Sequence, residues 1–437
     1  MIQSNILLWT FLVLFIGSSL FQWILSRMNV DHLRRFGDII PEEFEGRLEG
    51  ETLSKMTAYT VESSRFGSCV SFFDDALLLV ILLSGLLPWY VGIIASLDLN
   101  FVLSGLLFFA GPAAVGFIFD IPFDLYRTFG IEKRHGFSTI TIKLWLMDLI
   151  KGLLISMIFM GILLGSFLAL VRYFPQSWWF WGWLLFALFQ LFVLWIYPVL
   201  IAPLFNTFMP VSDEGLRGKI LHLAERADLR IREIFQVDAG KRSRHSNAYF
   251  TGLGKTKRIV LFDTLIASHT HEELLSVLAH EIGHWKKGHI IKQLLFIEIV
   301  SLVLFYLAYR LIGWPLLYET FGFDGVTLYV GLFLLAVLFR PLAFFLKPLG
   351  SSMSRRYERE ADDYAGRLMG TTAYLVDALR RLATDNLANL HPHPFYAWFH
   401  YSHPHLTERI RRLREIDRKE GVDFSGSGDI HSVHHVS

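Results

Sequence analysis

The stretch "LAHEIGHWKKGHIIKQLLFIEIVSLVLFYLAYRLI" (278–312) joins two chemistries without a break. Its first third crowds His280, Glu281, His284 and His289 together, and the rest is an apolar run long enough to cross a membrane. His280, Glu281 and His284 fit H-E-x-x-H. Positions i and i+4 share one helix face, so both imidazoles can reach a single ion. Glu281, one residue along, is near enough to take a proton from a water on that ion, whose pKa zinc lowers to about 7. The same pattern also fits an amphipathic helix with satisfied histidines. The apolar "LLSVLA" face before it and the span after it favour the metal site. The helix carries a start signal, with Thr270 as cap and Glu273 as its reciprocal partner.

Composition widens the frame. Of 437 residues, 53% are hydrophobic and 19% charged, against about 45–50% and about 25% in soluble proteins. This is the balance of a membrane protein. A net charge of +1 argues against a nucleic-acid partner. The single cysteine, Cys69, excludes an internal disulfide and a Cys-rich zinc site, so any metal is held by His and carboxylates. The N-terminal apolar run has no basic residue before it and reads as a retained span rather than a cleaved signal.

Seven spans are expected, near 5–25, 76–96, 100–122, 143–170, 178–205, 290–312 and 327–349. A polar turn at Asp98 and Asn100 pairs the second with the third. Lys and Arg concentrate in the connections after spans one, three and five and in the C-terminal block. The N-terminus is therefore expected outside, with both soluble blocks on the cytoplasmic side. Asp148, Lys151, Glu298 and Arg340 fall inside spans. They either pair between helices or line a wet cavity.

The soluble block at 206–289 mixes helix and strand. Leu216, Ile220 and Leu223 share a helix face, and "EIFQVD", "HSNAYFTG" and "KRIVLFD" read as short strands. The block from 351 is helical and basic, ending in a polar tail at 421–437. A catalytic zinc needs a third protein ligand. His289 lies five residues after His284, about 140° round a continuous helix, and reads as a helix-end residue. In "SRRYEREADDYAGRLMG", Glu358 and Asp362 are four apart. Glu358 could bind the ion while Asp362 holds a histidine ring from behind; a solvated charged helix fits the same letters.

The motifs "KRHGFS" (133–138), "SNAYFTGLGKTKRIVLFDTL" (246–265), "VLAHEIGHWKKGH" (277–289), "SRRYEREADDYA" (354–365) and "NLANLHPHPFYAWFHYSHPHLTERI" (386–410) occur in one order. Together they resemble the type I CAAX prenyl endopeptidases, integral-membrane zinc metalloproteases. The resemblance implies a mainly α membrane protein. Seven transmembrane helices would form a barrel around a large chamber, with a gluzincin-like metalloprotease domain holding a small β-sheet. It implies one Zn2+ per chain on His280, His284 and Glu358, and Glu281 as general base. It also implies Asn247 as a substrate-backbone contact, and His403 and Arg409 as oxyanion donors.

The sequence departs from the family's E-[FY]-x-A-D at Arg359 and adds a carboxylate at Glu360. Glu360 lies about 200° round the helix from Glu358, so Glu358 is preferred as the ligand. The expected divisions are 1–205 (spans one to five), 206–289 (metalloprotease segment), 290–350 (spans six and seven), 351–420 (C-terminal catalytic part) and the tail. The substrate is expected to be a lipidated or membrane-associated peptide or protein. The expected membrane is the endoplasmic reticulum in a eukaryote and the inner membrane in a bacterium. The alternatives are a heat-shock-type quality-control zinc protease and a non-enzymatic scaffold with a vestigial metal site.

Overall fold

The computed structural model describes residues 2–231, 233–251 and 258–419. The link between the expected strands "HSNAYFTG" and "KRIVLFD" and the C-terminal tail lie outside the described residues. Among the described residues, seven helices are long and apolar enough to cross a membrane: Ile6–Phe36, Gly50–Leu83, Phe101–Arg134, Ile142–Tyr173, Trp178–Phe205, His289–Leu311 and Leu328–Met369. Successive spans pack side by side, and the seventh returns to the first while also packing on the third. Over their apolar windows the fifth and sixth spans bury no residue inside the protein.

Two apolar cores close the structure. Phe11, Phe15, Leu82, Phe108, Trp178, Tyr318 and Leu334 pack together among the spans. Leu53, Met56, Leu216, Ile259, Leu278, Leu379 and Leu413 form the second, where the start of span two meets the soluble blocks. Burying each such side chain from water stabilises that second core by roughly 1.5–3 kcal/mol.

The structure corrects the expected second span. Its helix begins at Gly50 and ends at Leu83. Gly85, at φ +81, breaks the chain before a short helix, Leu86–Ser96. That short helix, not span two, turns back at Asp98 onto span three. A glycine in the left-handed region ends a helix at little cost, and hydropathy alone does not register it. Lys55 and Arg65 therefore ride on a helix rather than in a loop.

The division expected at 350/351 also falls inside a helix. Leu328–Met369 is continuous through Pro341 and Pro348. Rising about 1.5 Å per residue, it carries Glu358 well past its apolar part.

The four ionisable residues expected inside spans are each paired. Asp148 accepts from Arg242 at 2.7 and 2.9 Å, and Arg340 donates to Asp75 at 2.7 Å. Glu298 accepts from Gln190 at 2.7 Å, and Lys151 donates to the Leu204 carbonyl at 2.8 Å. Pairing removes most of the cost of placing them at membrane depth.

Among the described residues the sheet has four strands in the order β1-β2-β4-β3: β1 Phe208–Pro210, β2 Glu233–Val237, β3 Ala248–Thr251 and β4 Arg258–Phe262. β2 runs parallel to β4, and β1 and β3 are antiparallel to their neighbours. β1, three residues long, carried no readable alternation. β3 is an outer strand and packs against the helix of the H-E-x-x-H motif.

Candidate metal centre

The motif helix, His271–Lys286, starts as its sequence dictates. Thr270 Oγ1 accepts from the Glu273 N–H at 3.3 Å, and Glu273 Oε2 accepts from the Thr270 N–H at 2.7 Å. Two otherwise orphaned donors are satisfied, which fixes the helix entry. Leu274, Leu278 and Ile282 are buried and anchor the helix in the core.

Gly283 sets how closely span seven approaches. A Cβ at 283 would stand 3.0 Å from both Cα and O of Ala361, and 3.1 Å from Cβ of Tyr364. A bare backbone at this point of the motif lets the two helices meet, and Ala361 sits beside Glu358 on the facing turn.

Three donor atoms converge there. His280 Nε2 and His284 Nε2 lie 3.1 Å apart. Glu358 Oε2 is 3.3 Å from the first and Oε1 is 3.2 Å from the second. Ligand atoms at about 2.0–2.1 Å from a tetrahedral zinc are themselves about 3.3 Å apart. Glu358 Oε2 is buried without a hydrogen-bond partner, an acceptor left for something the protein itself does not supply. Two imidazole nitrogens and one carboxylate oxygen form a donor set suited to a hydrolytic zinc centre. The residues present fit that ion.

Electrostatics supports the same reading. Burial opposes charge on His280, but contacts with Asp362 and Glu358 outweigh it and raise its pKa to about 9. An imidazole held this firmly in favour of positive charge is one a cation can occupy by displacing the proton. Burial pushes the Glu281 carboxyl up, while His280 and His284 pull it back. A carboxylate with a raised pKa is a stronger proton acceptor once ionised.

Asp362 stands behind His280. Its Oδ1 lies 2.8 Å from His280 Nδ1, although the contact is not aligned as a well-formed hydrogen bond. Asp362 also grips Arg409 in a fork, with Arg409 Nε donating at 3.0 Å and Nη2 at 2.7 Å. Both side chains are nearly sealed from solvent.

Arg409 thus differs from a free oxyanion donor. Two of its nitrogens are held by Asp362, and Nη1 faces Glu358 Oε2 at 3.8 Å. His403 Nε2 lies 3.2 Å from Glu358 Oε1, with its side chain 61% exposed, so a ligand can reach it. Asn247 is exposed just before β3. Its Oδ1 accepts from the Ala248 N–H at 2.8 Å. The structure brings six of the expected residues into direct contact: His280, His284, Glu358, Asp362, His403 and Arg409. Glu281 stands among their charges, and Asn247 leads into the strand that packs on the motif helix.

Sequence reasoning missed two features. One is the polar junction around His245. Its Nδ1 meets Asn386 Oδ1 at 2.9 Å and its Nε2 meets Glu132 Oε2 at 3.3 Å. Its ring stacks on Phe137 at 3.9 Å. This ties "KRHGFS", the approach to Asn247 and "NLANL" into one cluster; each motif was visible, but not its partner. The other is the environment of His289. Gly288 adopts φ +66, so motif helix and span six are not one continuous helix, and the 140° rotation does not apply. The G-H step after the motif was the available signal.

Two family models match the chain. "CAAX prenyl protease N-terminal, five membrane helices" covers residues 29–207, and "Peptidase family M48" covers residues 210–417. The CAAX prenyl protease 1 homolog of Arabidopsis thaliana is 36% identical, over 87% of this chain and 91% of that protein. CAAX prenyl protease 1 of Saccharomyces cerevisiae is 34% identical, over 87% and 90%. The crystal structure of S. mikatae Ste24p superposes with a TM-score of 0.87 at 31% identity, covering 94% of this chain and all of that one.

Proposed function

We propose a function from one premise: the chain belongs to peptidase family M48, among its CAAX prenyl proteases. It is a multi-pass membrane metallopeptidase. Our reading is a zinc endopeptidase that cuts CAAX-type proteins near their C-terminus. The observation that supports it most is the spacing of His280 Nε2, His284 Nε2 and Glu358, each pair at 3.1–3.3 Å, with Glu281 beside them.

His280, His284 and Glu358 would hold the ion. Zinc bound there supplies Lewis-acid polarisation of the scissile carbonyl and acidifies the attacking water. Glu281 takes the water's proton and passes it to the leaving amine. His403 offers its exposed ring N–H to the carbonyl oxygen as negative charge develops. Arg409 keeps positive charge behind Glu358 and locks Asp362 against His280. The peptide extends along the outer edge of β3, with Asn247 fixing its backbone. On a prenylated CAAX protein the bond after the modified cysteine breaks, releasing the last three residues.

The Lys/Arg bias supports a cytoplasmic side for the catalytic segments. The membrane is the endoplasmic reticulum in a eukaryotic host and the inner membrane in a bacterial one. Seven spans favour this reading over the quality-control protease. Glu281 argues against a scaffold, because holding a metal needs the histidines but not that carboxylate.

The test is a farnesylated CAAX peptide incubated with purified protein, with and without a zinc chelator, and the products read by mass. Release of the C-terminal tripeptide, lost on chelation and restored by zinc, is expected. Cleavage that survives chelation overturns the metal mechanism. Cleavage of unprenylated peptides alone supports the quality-control alternative.

A further inference from the structure

Both candidate histidine ligands have a neighbour behind the ring, but the two neighbours differ. His280 has Asp362, whereas His284 has another histidine. His284 Nδ1 lies 2.9 Å from His289 Nδ1. His289 Nε2 lies 3.2 Å from Glu360 Oε2, and Glu360 Oε1 accepts from Arg356 Nε at 3.0 Å. The His289 side chain is 2% exposed and stacks on Tyr357 with centroids 4.3 Å apart and planes 11° from parallel. The left-handed Gly288, φ +66, turns the chain so that this ring falls under His284.

Proton placement gives the row a single direction. A neutral imidazole that presents the Nε2 lone pair to a cation carries its hydrogen on Nδ1. His284 Nδ1–H therefore donates and His289 Nδ1 accepts. His289 then keeps its hydrogen on Nε2, where the Glu360 carboxylate accepts it. Arg356 neutralises and orients that carboxylate. Every donor faces an acceptor, and no other assignment satisfies both nitrogens of His289 while leaving His284 Nε2 free.

We propose that His289 and Glu360 are positioning residues for the metal centre, fixing the tautomer and ring angle of His284 as Asp362 does for His280. The proposal rests on the metal-centre reading above. It assigns a function to Glu360, the second carboxylate beside the ligand glutamate, and to the third histidine of the opening motif. Neither residue is one of the three converging donors: His289 Nδ1 is committed to His284 Nδ1.

Zinc affinity, measured by chelator competition on the detergent-purified full chain, tests it, alongside the melting temperature of zinc-stripped protein. H289F keeps the ring and its stack on Tyr357 but removes the acceptor. It should weaken zinc binding by about 10–100-fold. H289N returns an acceptor near the Nδ1 position and should recover most of that loss. E360A should weaken zinc by a few-fold. A purely structural role predicts instead that melting temperatures fall while zinc affinity stays level across folded variants.

Zinc binding by H289F within twofold of the unsubstituted protein overturns the proposal. So does H289N binding as weakly as H289F, and E360A keeps the test open to both results should H289F not fold. H280A and E358A are the controls. If they bind zinc as tightly as the unsubstituted protein, the metal-centre reading itself falls. If they lose zinc while H289F keeps it, only the relay falls.

Discussion

Replacing Asp362 with alanine separates the two jobs that this carboxylate performs. It balances a buried guanidinium, with side-chain exposures of 8% for Arg409 and 2% for Asp362, and it backs His280 Nδ1 at 2.8 Å. Removing one partner of a buried ion pair costs about 3–5 kcal/mol, because the other charge is left uncompensated. Glu358 Oε2, 3.8 Å from Arg409 Nη1, and the nearby charge of Glu281 soften the loss only in part. For a catalytic part of this size, about 3–5 kcal/mol lowers the melting temperature by roughly 6–20 °C. Loss of the ring's backing should independently weaken zinc by about 10–100-fold.

The second substitution, R409M, tells the two effects apart. In D362A/R409M the stranded charge is gone, and an apolar side chain of similar length fills its place. The double variant should regain at least half of the lost melting temperature but none of the zinc affinity. The assays are thermal melting of zinc-stripped protein and chelator competition. A double variant that melts as low as D362A, or a D362A protein that binds zinc within twofold of the original, would refute the reasoning.

Three other expectations follow from the same geometry. E281Q should retain zinc and fold normally while losing about 10²–10⁴-fold in kcat; undiminished cleavage would remove Glu281 as the base. G283A should force the motif helix and span seven apart by its contacts with Ala361, costing about 1–3 kcal/mol and weakening zinc with it; a zinc-tight, fully stable G283A would show that the close approach is not needed. His245 is predicted to make stability depend on pH. Burial lowers its pKa, but the bonds to Glu132 and Asn386 outweigh this and raise it above the ordinary value of about 6.5. The stabilisation is then complete below about pH 6.5 and fades as pH rises through the folded-state pKa. The melting temperature of the unsubstituted protein should therefore fall relative to H245Q as pH rises above about 6.5, and parallel curves would dismiss the pairing.

The sequence by itself determined what depends on near neighbours along the chain. The apolar runs marked seven spans because a membrane helix buries its backbone within itself and declares its length in hydropathy. Thr270 and Glu273 announced the start of the motif helix, and the i, i+4 spacing put His280 and His284 on one face, because both are contacts within single turns. Tertiary structure alone decided what depends on distant segments. Only the packing of Gly283 on Ala361 carries Glu358 to the two imidazoles. Only the fold reveals that Arg409 is gripped by Asp362 instead of standing free. Two glycines, Gly85 and Gly288, made the local reading fail in the same physical way. Each takes a left-handed backbone step that composition does not display, one dividing the expected second span and the other turning His289 beneath His284.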